Sequence, residues 1–91
     1  MNIENRATKI YLKSLAPLEA YAQIDRYKIP SPQKECLIAM INGKEGYSGC
    51  DFLSEKYNIN IGFWTFGRRL KDGLEIFRKS KKYVDNHENA K

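Results

Sequence analysis

The sequence predicts a small, mainly α-helical domain with one short β-hairpin near its C-terminus. Three observations predict it. Apolar residues recur at three- and four-residue steps along most of the 91 residues, with helix stop signals between the runs. Hydrophobic residues make up 42% of the chain and aromatic residues 12%, enough for a core in a single domain of this length. Asp72-Gly73 is a turn signal, and residues 74–77 and 82–84 after it can pair as strands about a turn at 78–81.

In chain order, residues 2–15 read as a first helix. Ile3, Ala7, Ile10 and Ser14 share a face with Leu15 close by, while Arg6, Lys9 and Lys13 lie elsewhere. Pro17 suits the first turn of a second helix, with a face of Leu18, Tyr21 and Ala22 extended by Ile24 and Tyr27. Residues 21–29 also alternate as a strand does, so both states stay open there. Ile29-Pro30-Ser31-Pro32 is a break, because each proline pushes its predecessor away from helical angles. Ser31 then caps a third helix with Pro32 at its first position. Its buried stripe is Cys36, Leu37, Met40 and Ile41, and Gly43 ends it. Residues 44–47 form a short connection with room for one extended pairing.

Residues 48–71 organise the rest. Ser48 and Asp51 have the spacing of a capping box for a fourth helix, on which Cys50, Leu53 and Tyr57 make a stripe. Asn58 suits the left-handed backbone of a sharp turn, Ile59 a buried plug and Asn60 a second N-cap. A helix over about 60–71 follows, with Phe63, Phe66 and Leu70 on its apolar face. Trp64 is either an oversized plug or displaced from that role by Phe63, and the stripe favours Phe63. The expected organisation is a helical extension (1–30), a core (31–84) and a polar tail (85–91) within one domain.

The order Leu53-Ser54, Tyr57, Asn58, Ile59, Asn60 resembles the centre of a helix-turn-helix. With a basic hairpin at 74–84, residues 31–84 resemble the winged helix-turn-helix family. Asn58 stands where that pattern has Gly, and Trp64 where it has a small aliphatic. The resemblance implies a bracing helix and a recognition helix whose first turns enter a DNA major groove. It implies a transcription regulator of bacterial, phage or mobile-element type. The rival for 74–84 is that the helix continues, since LEIFRKSKKY is also a fair helical sequence and Lys79-Ser80-Lys81-Lys82 lacks tight-hairpin residues.

Charge points to the same region. Residues 68–82 hold seven basic and two acidic side chains, a surplus equal to the whole chain's net charge of +5. Such a patch attracts phosphate or another acidic surface. The expected DNA-binding residues are Asn60, Gly62 and Thr65 at the helix start, then Arg68, Arg69 and Lys71, with Arg78, Lys79, Lys81 and Lys82 from the wing. The expected partners are double-stranded DNA and a second copy through residues 1–30. The alternative is a protein-interaction module, a small inhibitor or adaptor docking its basic and aromatic face on a partner. An exposed Trp64 favours that alternative.

Other classes find little support. There is no GxSxG, P-loop, GxGxxG or histidine pair, and His87 is alone in the polar tail, so no enzyme is expected. Cys36 and Cys50 fall on apolar faces without a CxxC, so no metal or other cofactor is expected either. The longest apolar run, residues 36–41, is too short to span a bilayer. The start, MNIENRATK, lacks a signal-peptide core, so the cytoplasm is the expected location.

Overall fold

The computed structural model describes residues 2–89, and side chains as far as Asp85. It consists of α1 (Ile3–Ser14), α2 (Pro17–Arg26), α3 (Gln33–Ile41), α4 (Gly46–Tyr57) and α5 (Phe63–Asn89), with no strand among the described residues. α3 is the hub and touches all four other helices. Its Cys36, Leu37, Ala39 and Met40 are buried, which requires neighbours on more than one side. α4 and α5 pack on it and on each other, α1 lies against α5, and α2 joins α1 to α3.

The expected hairpin at 74–84 is absent, and with it the wing. α5 runs unbroken through that segment. Phe66, Leu70, Gly73, Leu74 and Phe77 are all buried, and their spacing traces one helical stripe. Gly73 reads as a turn signal, but its role is a notch. A Cβ there would lie 3.1 Å from both the Gln33 carbonyl oxygen and Leu37 Cγ. Glycine at 73 therefore lets α3 and α5 approach, and Asp72 is held within the helix by Arg69 at 3.3 Å. Packing of the Leu74–Phe77 stripe overrides the local turn chemistry.

Helix starts also move. α4 begins at Gly46, so Ser48 does not cap it; the Ser48 hydroxyl donates to the Glu45 carbonyl at 2.9 Å from inside the first turn. Helix α3 begins at Gln33, and Ser31 Oγ donates to Glu35 Oε2 at 2.9 Å. Residues 21–26 are helical, which closes the strand alternative there.

The faces of the first two helices differ from expectation. On α1 the Ile3, Ala7, Ile10, Ser14 stripe faces solvent, with Ile3 83% exposed. The inward face carries Asn5, Thr8 and Leu12. Asn5 is fully buried and donates from Nδ2 to Glu75 Oε1 on α5 at 3.3 Å. On α2, Ala20 and Ile24 are buried while Leu18 is exposed. Tyr27 turns its ring edge-on to Phe77 at 5.2 Å.

Candidate nucleic-acid interface

Helices α4 and α5 are joined by a tight turn over residues 58–62. Asn58 adopts the left-handed conformation (φ 55°); its N–H donates to the Ser54 carbonyl and that of Ile59 to the Leu53 carbonyl, each at 3.1 Å. Ile59 and Ile61 pack half-buried against the core and seat the turn. Gly49 sets the crossing of the two helices, since a Cβ there would sit 2.7 Å from Phe66 Cε2. α5 opens at Phe63, and the N–H of Phe66 donates to the Gly62 carbonyl at 2.8 Å. Asn60 is therefore not the N-cap. Its Oδ1 accepts from Ser54 Oγ at 3.1 Å, which latches the turn back to α4.

With Phe66, Leu70 and Phe77 facing inward, the opposite side of α5 presents Trp64, Gly67, Arg68 and Lys71, then Lys79 and Lys82. Arg68, Lys71, Lys79 and Lys82 are exposed and form no ion pair with another described residue. The remaining expected contact cations are engaged within the fold. Arg69 pairs with Asp72, Arg78 with Glu4 of α1, and Lys81 with Asp85 at 2.9 Å. Lys81 also lies 5.5 Å from the Tyr11 ring, and its hydrogen bond to Asp85 raises its pKa, so it stays cationic. Thr65 is exposed in the first turn of α5, and Gly62 lies just before it. The ten expected residues thus divide. Four cations, Thr65 and Gly62 reach solvent, while Asn60, Arg69, Arg78 and Lys81 hold intramolecular partners.

Two expectations about aromatic residues are corrected. Phe63 is half-exposed and Trp64 is 84% exposed, so neither is a buried plug. Phe66 fills the α4–α5 crossing one turn later, with its ring against Gly49. The sequence also does not single out Tyr47. Its exposed ring lies 4.7 Å from Phe63, which in turn meets Trp64 edge-on at 5.3 Å. Only the packing of the α4 start against the α5 start brings it there, and no periodic signal marks it.

A hollow of about 420 Å³ opens beside these rings, lined by Glu45, Gly46, Phe63, Trp64, Gly67 and Arg68, with Lys71 at its end. Glu45, its one acid, is held by Lys9 at 2.7 Å. A second hollow of about 460 Å³ lies between α1 and α5; in its wall Arg78 and Lys81 are paired, while Lys82 pairs with no other described residue.

No catalytic arrangement forms around the cysteines. Burial pushes the Cys36 thiol up to about 12 and raises that of Cys50, so both stay protonated near neutrality. No cluster of metal-ligating side chains occurs among the described residues, and no helix among them is long and apolar enough to cross a membrane. His87 lies outside the residues whose side chains are described. Comparisons with protein-family models, with curated proteins and with solved structures find no match.

Proposed function

We propose that this chain is a helix-turn-helix DNA-binding protein that presents the first turns of α5 to double-stranded DNA. One observation carries the proposal. Arg68 and Lys71 on the solvent face of the first half of α5, and Lys79 and Lys82 beyond Glu75, form no ion pair with another described residue, and α4 braces the helix through a left-handed Asn58 turn. Arg68 and Lys71 lie one and two turns into α5 from Trp64. Lys79 and Lys82 follow beyond Glu75, where α1 packs on α5, with Lys82 about 27 Å past Trp64 at about 1.5 Å per residue. That reach exceeds the roughly 12 Å width of the major groove, so the later lysines meet flanking phosphates. The second half of α5 thus takes the role first expected of a wing. With Thr65 the main polar side chain near the helix start, most of the binding energy is phosphate-directed.

Regulation of transcription in the cytoplasm and a homodimer through residues 1–30 belong to the same proposal. The dimer is supported by the outward Ile3–Ala7–Ile10 stripe on α1. A second reading, docking on an acidic protein, is favoured by one observation: Trp64, Phe63 and Tyr47 form an exposed aromatic cluster next to Arg68.

The test is binding to mixed-sequence duplex DNA across a salt series. Affinity is expected to fall as salt rises, with a log–log slope of about −0.9 per phosphate contact. Arg68→Ala with Lys71→Ala is expected to flatten that slope by about 2 contacts' worth and to leave the circular dichroism unchanged. Absence of duplex binding at low salt by the folded protein would sink the DNA proposal.

A further inference from the structure

We infer that the hollow beside Trp64 takes an unpaired nucleobase, so the preferred ligand is DNA in which a duplex adjoins single-stranded bases. This rests on the DNA-binding proposal and names its ligand more closely. Trp64 stands 84% exposed in the first turn of the helix that would meet DNA. An intact duplex shows base edges in its grooves and hides the base faces inside the stack. The flat face of an indole finds its best partner where a base is unpaired or terminal.

A glycine supports the slot. Gly67 lines it from inside α5, and a Cβ built there would meet nothing within 4 Å. Its φ is not positive. Glycine within a helix is destabilising relative to alanine, and no packing or backbone need in this fold offsets that at Gly67. What Gly67 does provide is a bare floor between Trp64 and Arg68, where a flat group can approach the helix backbone.

Charge completes the match. Arg68 and Lys71 flank the hollow about 6 and about 10 Å along the axis from Trp64. Glu45 is neutralised by Lys9, which leaves the rim positive. A nucleotide supplies a π-face and a phosphate in one repeating unit, complementary to one ring and one cation a helical turn apart. Few side chains here read base edges, so the preference is for unpaired bases of any sequence.

The experiment compares a blunt duplex, the same duplex with a single-stranded thymidine extension, and the free extension. Trp64 is the only tryptophan, so its fluorescence reports directly, and labelled-DNA anisotropy gives affinities for all variants. The extended duplex is expected to bind about tenfold more tightly than the blunt one and to quench Trp64 more. Trp64→Ala is expected to erase that advantage, bringing extended and blunt duplex to equal affinity, while Trp64→Phe retains part of it. Equal affinities for blunt and extended duplex, unchanged by Trp64→Ala, overturn the inference and leave the duplex proposal standing. If the folded protein binds none of the three DNAs even at low salt, both fail, and the aromatic cluster is a protein-docking surface.

Discussion

Cys36 shows how one buried side chain ties stability to pH. It is fully buried in α3, and burial in the apolar core raises its pKa to about 12. An unfolded thiol titrates near about 8.5. Between these values the folded state keeps a proton that the unfolded state releases. Its contribution is complete below the unfolded value and is lost as pH rises toward the folded one, at about 1.4 kcal/mol per pH unit. Cys50, Lys34, Lys81 and Tyr57 also have raised pKa values and add slopes of the same sign. Cys36→Ala leaves those in place. Urea midpoints at pH 8, 9 and 10 should therefore fall more steeply for the native chain than for Cys36→Ala. Parallel slopes would show that the thiol is not sequestered. Burial of Cys36 is legible in the sequence, because its neighbours Leu37 and Met40 mark the same stripe. Burial of Asn5 is not, because its partner Glu75 lies 70 residues away in the chain.

At the scale of the helix, the sequence identifies α3, the Asn58 turn and the Phe66–Leu70 stripe, because each depends on local spacing. It misplaces the helix starts by about two residues, because Ser48 and Asn60 have cap chemistry that the fold uses for other hydrogen bonds. The hairpin fails for a deeper reason. Glycine carries the same letter whether it opens a turn or makes room for another helix, and only the opposing surface distinguishes them. Three alanine substitutions separate these roles. Gly49→Ala drives a methyl into the buried Phe66 ring and should cost about 1–3 kcal/mol. Gly73→Ala meets the Gln33 carbonyl and Leu37, so its gain in helix propensity should be outweighed. Gly67→Ala meets nothing and should stabilise by about 0.4–1 kcal/mol. Denaturant midpoints should rank Gly67→Ala above the native chain, then Gly73→Ala, then Gly49→Ala. A rise for all three would refute the close packing of α5 on α3 and α4.

For the whole molecule, the first helix is the unresolved piece of the energetics. α1 turns Asn5 and Thr8 inward and Ile3, Ala7 and Ile10 outward, against the usual sense of an amphipathic helix. The sequence reveals the apolar stripe, but its period is the same whether the stripe covers the core or a partner. Ile3 and Ile10 lie about equally far on either side of Ala7. An antiparallel two-fold pairing would set each Ile3 on its partner's Ile10, with the small Ala7 pair letting the helices close. Burying an isoleucine contributes about 1.5–3 kcal/mol, so the four in such a pair supply about 6–12 kcal/mol. Association itself costs an amount of the same order, about 4–15 kcal/mol, so the dimer should be weak and concentration-dependent. On DNA it would present two α5 starts to two half-sites. Sedimentation equilibrium of the native chain over a wide concentration range should show self-association. Ile10→Glu should abolish it with little change in denaturant midpoint, because Ile10 is 63% exposed. Leu12→Ala, on the opposite face, should cost about 2–5 kcal/mol of folding stability. A native chain that stays monomeric throughout would remove the dimer, and duplex affinity would then come from one α5 per molecule, with a salt slope to match.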